Sequence, residues 1–221
     1  MKFPVLYTES TNTVLVQEVV RYNRLLDKMK RTLAGYQKAL KGLVVMSSEL
    51  EDMGNSLFGA VVPKLWEGVA YPSLKPLGAW VKELLHRCDF ISTWINEGTP
   101  KCFWMPGFFF PQGFVTAVTQ NFARKYVLPI DTVSSKTDFL DDKPWNELSE
   151  RPEDGAYIYG LFIEGARWSY EKHGLDESRP KQLFTEMPVM WLVPEQNRVA
   201  PEGGIFRCAV CRARLSSSAR C

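Results

Sequence analysis

The sequence predicts an α+β protein in which a helical half precedes a β half. Three observations carry this. Apolar residues recur at spacings of four and three through two long stretches before residue 100. An aromatic run from Phe103 to Phe114, broken by Pro106, Gly107, Pro111 and Gly113, then feeds one more helical stripe. After Tyr126 the period falls towards two, in short aromatic and branched segments separated by turn signals. The domain reading is a single unit over 1–210, helical over 1–127 and β over 128–210, with 211–221 a divergent, disordered tail.

Met1–Ser10 reads as an extended lead-in. Thr11, Asn12 or Thr13 supplies a side-chain oxygen for the orphan N–H groups of the first helix. Leu15, Val19, Tyr22, Leu26, Met29, Leu33, Tyr36, Leu40 and Leu43 then form an a/d seam. A helix of ~30 residues is ~45 Å long. Val16, Val20 and Leu25 widen the stripe, which favours a bundle helix over an intermolecular coiled coil. Gly35 costs about 1 kcal/mol relative to Ala inside it. Ser47-Ser-Glu-Leu-Glu51 resembles a capping-box start, with Leu50, Met53 and Leu57 inward and Gly59 and Pro63 closing the helix. Lys64–Val69 gives another helical turn, and Tyr71–Pro76 a rigid connector. From Leu77 to Asn96 a further helix turns Leu77, Val81, Leu84, Cys88, Ile91 and Ile95 inward, broadened by Trp80, Leu85 and Trp94, and Gly98 stops it.

Pro111 suits a first helical position, and Phe114, Val118, Phe122 and Tyr126 mark one face of the helix that follows. Phe108, Phe109 and Phe110 read as a core junction, the alternative being a ligand pocket. In the β half, strands are expected at Leu128–Val133, at Gly155–Glu164 continuing to Ser169 with a bend at Gly165, at Pro188–Val193, and starting at Ile205–Val210. Lys136–Asp154 reads as a surface loop and His173–Ser178 as a turn.

Composition points to no particular partner. The formal net charge is +2 and charges of both signs alternate along the helices, unlike a nucleic-acid binder. The apolar runs are too short to span a bilayer, and Met1–Leu6 has no signal-peptide core. Five scattered cysteines fit a reducing compartment better than a disulfide framework. Neither a G-x-x-x-x-G-K-[ST] loop nor a G-x-G-x-x-G turn is present. Phe139-Leu-Asp-Asp142 faintly resembles a magnesium-holding strand end but reads better as a solvated loop. His86 and His173 sit in no triad pattern, and Cys88 reads as a small core hydrophobe. Cys208-Ala-Val-Cys211 is half of a zinc site, with only Cys221 and His173 to complete it. The residue types therefore select no catalytic, cofactor-binding or metal site.

Several blocks resemble the C-terminal domain of dynein heavy chains. They are Asn12-Thr-Val-Leu-Val-Gln-Glu18 with Arg21–Leu26, Leu40–Glu51, Tyr71-Pro-Ser-Leu-Lys-Pro-Leu77 and Phe103–Gln112. Gln120-Asn-Phe-Ala-Arg-Lys125, Tyr157–Trp168 and Met187-Pro-Val-Met-Trp-Leu192 extend the resemblance into the β half. The blocks keep the family's order over about residues 3–210, and their flavour is axonemal. The resemblance implies an incomplete antiparallel β-barrel-like second half. It also implies a non-catalytic segment that lies on a ring of AAA+ modules and modulates a minus-end-directed microtubule motor of cilia. ATP and magnesium would bind elsewhere in the full-length family. Partners would be the AAA+ ring modules and, through the whole complex, dynein intermediate and light chains and microtubules, with no nucleic acid and no membrane. The implied location is the cytoplasm, cytoskeleton and ciliary or flagellar axoneme.

Cys211–Cys221 departs from the family pattern, as a truncated or alternatively spliced product or a gene-model error would. Two other expectations stand beside the motor reading: an adaptor binding dynein subunits or another coiled-coil protein through the Leu15–Leu43 seam, and a small zinc-binding protein using Cys208 and Cys211. An edge left unpaired by a missing strand weakens a sheet. The β half is therefore expected to show lower amide-exchange protection than the helical half; equal, high protection in both would contradict this.

Overall fold

The computed structural model describes residues 8–140 and 143–197. The α+β class holds. Among the described residues the α-helices are α1 (Ser10–Leu40), α2 (Ser48–Phe58), α3 (Lys64–Glu67), α4 (Leu77–Glu97) and α5 (Pro111–Lys125). The strands are β1 (Cys102–Trp104), β2 (Val133–Leu140), β3 (Ala156–Tyr159), β4 (Phe162–Glu164), β5 (Ala166–Ser169), β6 (Gly174–Glu177), β7 (Phe184–Glu186) and β8 (Val189–Gln196). The expected strand at Ile205–Val210 and the 211–221 tail lie outside the described residues. Leu15–Thr93 is one compact unit; Val14 and the described residues before it, with those from Trp94 onward, form the other.

In the helical unit the buried face of α1 differs from the expected seam. Leu15, Glu18, Tyr22 and Leu25 are buried, and Met29, Thr32, Tyr36 and Ala39 continue that stripe. Leu26, Leu40 and Leu43, expected inward, are exposed. The true stripe runs through Glu18, a charge that an apolar-only pattern skips. The same happens on α4, where Trp80, Leu84, Arg87, Ile91 and Trp94 are buried and Leu85 is exposed. Ser47 caps α2 as expected, its Oγ accepting from the Leu50 N–H at 3.3 Å. Met53 turns inward from α2, and a Cβ at Gly54 would collide with the Tyr36 ring of α1. Gly98 ends α4 with φ +94°, a left-handed stop that glycine adopts without a Cβ penalty.

A ring column organises this unit. Trp66 of α3 stacks on Trp80 of α4 at 6.1 Å, and Trp80 on Tyr71 at 5.8 Å. The Arg87 guanidinium caps the column, 3.7 Å from the Tyr71 ring centre. Trp66 Nε1 donates to Thr32 Oγ1 at 3.0 Å, which ties the column to α1. Arg87 also donates to Glu83 Oε1 at 2.7 Å, and Lys75 meets Glu83 Oε2 at 2.8 Å. Burial pushes the Tyr22 phenol up, although Arg87 hydrogen-bonds it and pulls the other way. Burial raises the Glu83 carboxyl too, but the hydrogen bonds from Lys75 and Arg87 prevail and hold it below its usual value of 4.5.

In the other unit α1 begins one residue before the expected caps. The Ser10 N–H donates to Asn121 Oδ1 of α5 at 2.7 Å, so a distant amide does what Thr11, Asn12 or Thr13 was expected to do locally. Pro111 opens α5 as expected. Trp94 meets Phe103 edge-on at 5.1 Å, and Phe103 and Phe108 pack on Phe114 at 4.5 and 4.9 Å. Phe108 is thus a core anchor, whereas Phe110 is half exposed.

Three small sheets follow, with orders β1-β3-β8-β2, β4-β7 and β5-β6, none closed into a barrel. The pairings are antiparallel except β1 with β3, which is parallel because the α5 crossover separates them. Three sequence expectations are corrected. The strand expected at Leu128–Val133 begins only at Val133 and runs to Leu140, so Lys136–Leu140 is strand and not loop. Gly174–Glu177, expected as turn, is β6, paired with β5 through a bend at 170–173. Gly165 does break the chain between β4 and β5, at φ +71°.

Two substitutions test these arrangements. Gly155 has φ +82°, and a Cβ there would collide with the Leu192 carbonyl oxygen. Gly155→Ala is expected to cost about 1–3 kcal/mol or more in urea unfolding, with the loss centred on the β sheets. Glu83→Gln strands the buried Arg87 charge and is expected to cost about 3–5 kcal/mol. Because the folded Glu83 carboxyl is depressed, its contribution is present above pH 4.5 and lost as pH falls through the lower folded value. Unfolding midpoints followed from pH 7 to pH 3 should therefore fall less steeply on the acid side in Glu83→Gln than in the parent.

Candidate functional site

The candidate chemistry read from the sequence is not brought together. His86 is exposed on α4, and His173 is exposed in the turn before β6. Cys88 is half-buried on α4, where burial and the neighbouring Asp89 charge push its thiol up. Cys102 is buried in β1, where burial pushes it up to about 12. Neither has the electropositive surroundings that make a thiolate. Phe139 and Leu140 of the Phe-Leu-Asp-Asp stretch lie in β2, and Phe139 stacks on Trp168 at 4.2 Å. Asp141, Asp142, Cys208, Cys211 and Cys221 lie outside the described residues. Among the described residues no group of three or more His, Cys, Asp or Glu side chains could hold a metal ion, and no helix is long and apolar enough to cross a membrane.

A cleft of about 640 Å³ lies along α5 and the start of α1. Phe103, Val118 and Phe122 give it apolar walls, and Lys101, Arg124, Lys125 and Arg151 line it with positive charge. Much of that charge is engaged. Lys125 Nζ meets Asp154 Oδ1 at 2.7 Å and donates to the Glu153 carbonyl at 3.3 Å. Tyr126 donates to the other Asp154 oxygen at 2.8 Å, and Arg124 to the Thr8 carbonyl at 3.0 Å. The hydrogen bond to Asp154 holds the Lys125 ammonium above its usual range. Asp154 is pushed up by burial but pulled below the carboxylate range by Lys125 and Tyr126. These contacts fasten the 151–155 segment to α5.

The shifts share a direction. Tyr22, Tyr71, Tyr159, Cys88 and Cys102 move up, Lys125 moves up, and Glu83, Asp154 and Asp176 move down. Each of these moves away from neutrality.

The conspicuous surface is apolar. Leu40, Leu43, Val44, Val45 and Met46 follow one another across the end of α1, with Val45 87% exposed. Phe58, at the end of α2, is 97% exposed. Sequence reading placed Leu40 and Leu43 in a seam because their spacing continues the heptads. Their departure from the buried stripe was signalled only by Glu18, whose burial the pattern did not foresee.

The family model for the C-terminal domain of the dynein heavy chain matches residues 1–217. The sequence is 56% identical over 209 residues to dynein axonemal heavy chain 1 of Homo sapiens, covering 95% of the chain and 5% of that relative. It is 55% identical over 209 residues to the Mus musculus protein of the same name, again covering 95% of the chain and 5% of the relative. It is 45% identical over 208 residues to dynein axonemal heavy chain 3 of Homo sapiens, covering 94% of the chain and 5% of the relative. The chain thus spans about 5% of the length of these relatives. With its helical unit, its short mixed sheets and this match along nearly its whole length, the chain belongs to the family of dynein heavy-chain domains found at the C-terminus.

Proposed function

We propose that this chain is the non-catalytic C-terminal segment of an axonemal dynein heavy chain. In this reading it packs on and modulates the AAA+ ring of an ATP-driven, minus-end-directed microtubule motor that moves cilia. ATP and magnesium act in the ring and not in this segment. The segment works in the axoneme as part of the dynein complex, reaching microtubules and the intermediate and light chains through the rest of that complex.

The observation that carries the packing role is the exposed apolar sequence Leu40–Met46. Monomeric proteins rarely leave contiguous large apolar side chains in water, and such surfaces mark contacts.

The test uses the heavy-chain motor with this segment in place. Leu43→Asp with Val45→Asp should leave the helical unit folded, since both side chains are already in solvent, and should change microtubule-stimulated ATP turnover about fivefold or more, a coupling of the size common between sites. Turnover and gliding velocity equal to the parent's would overturn the packing role. The 221-residue chain alone is expected to bind no fluorescent ATP analogue, and saturable binding would contradict the non-catalytic reading.

A further inference from the structure

A second surface, in the unit that holds the strands, has a different character. Trp145 and Tyr170 are 49% and 59% exposed, and both line a slot of about 400 Å³ with Tyr159, Glu186, Lys143 and Pro188. Trp145 lies flat on Tyr159, with ring centres 4.6 Å apart and planes 11° from parallel. One indole face is thereby held on the phenol, while about half of the residue stays open to solvent. A tryptophan fixed in this way loses little conformational freedom on binding, and Trp, Tyr and Arg are the residues on which contact energy concentrates. Glu186, at the end of β7, lines the slot beside the stack, and burial, then the nearby Cys102 and Glu186, raise the Tyr159 phenol to about 12.

The shape of the stack selects among cations. Two rings in parallel contact leave no gap between them for a rounded alkylammonium, which prefers several ring faces converging on it. A guanidinium is planar. It stacks on a single aromatic face while its fork of N–H donors engages a carboxylate beside it. Lys143 is the one cation among the described lining residues, and it is exposed on a flexible stem, so it opposes an incoming charge without filling the slot rigidly. We infer that this slot docks an arginine side chain of a protein partner, the guanidinium lying over Trp145 and against Glu186. The inference does not depend on the motor reading.

The test is NMR titration of the ¹⁵N-labelled 221-residue chain with the capped peptide Gly-Gly-Arg-Gly-Gly and with the same peptide carrying citrulline or trimethyllysine. Saturable shifts of the Trp145 indole N–H with the arginine peptide are expected. Citrulline, which keeps the shape and loses the charge, should bind about tenfold more weakly, the ratio for one charge-assisted contact. Glu186→Gln should weaken the arginine peptide about five- to tenfold while other resonances stay in place. Trp145→Ala should abolish binding, and because it also opens the stack on Tyr159, Glu186→Gln is the decisive variant. Equal binding of citrulline, tighter binding of trimethyllysine, indifference to Glu186→Gln, absence of any shift at Trp145, or Trp145 shifts caused by self-association alone would each overturn the proposal.

Discussion

The helical unit depends on one buried guanidinium. Arg87 is only 6% exposed, and a charge so placed must be both paired and hydrogen-bonded or the unit cannot keep it. Its neighbours come from three stretches of sequence: Glu83 one turn earlier on α4, Tyr71 in the connector before that helix, and Tyr22 on α1. Removing any one leaves the charge underserved. The Trp66–Trp80–Tyr71 column that Arg87 caps then carries the constraint on to α3, and the Trp66 indole hands it back to α1 through Thr32. A desolvated cation on a ring face contributes up to about 2 kcal/mol, but the greater effect is on geometry. A flat cation over a flat stack, hydrogen-bonded to one carboxylate oxygen, fixes positions and angles that apolar contact alone leaves soft.

The unit holding the strands is fastened differently. Its centre is the contact of Trp94, Phe103, Phe108 and Phe114, where rings meet at angles instead of in a column. Polar groups work at its edges. Asn121 accepts from the first N–H of α1 and donates to Thr11, while Lys125 and Tyr126 hold Asp154. Asp154 in turn offers its carbonyl to the Trp191 indole at 2.9 Å, which links the end of α5 to β8. With strands of three or four residues in two of the sheets, such side-chain ties supply order that long ladders supply elsewhere.

How much of this was legible follows from the physics of each signal. Helix existence was clear, because Leu15–Tyr22 and Leu77–Trp94 repeat strongly enough to survive errors of phase. The phase itself was misread at Leu26 and Leu85, since the buried stripes pass through Glu18 and Arg87 and a reading that counts only apolar residues steps around a charge. Caps written locally were readable, as at Ser47 and Gly98; the cap supplied by Asn121 from over a hundred residues away was not. The Lys136–Leu140 part of β2 reads as loop because its sequence is charged and polar up to Asp138, and what makes it a strand is the eight-residue register of β2 with β8. The family blocks were legible throughout, because order and identity of residues persist where periodicity is ambiguous.

The same contrast separates what is buried from what is offered outward. This chain places a glutamate and an arginine inside while leaving Val45, Phe58 and Trp145 in water. A segment selected only for its own stability would reverse several of those placements, since burying a charge costs more than burying a valine gains. The charges inside are paired on their own helices, Glu18 with Arg21 and Arg87 with Glu83, and Arg87 also meets Tyr71 of the connector and Tyr22 of α1. Val45 and Phe58 are almost wholly exposed, and large apolar side chains so placed mark surfaces suited to contact. At Glu83 and Asp154 burial pushes the carboxyl up, and the shifts below the usual range come from contacts that hold structure in place: Lys75 and Arg87 on the first, Lys125 and Tyr126 on the second.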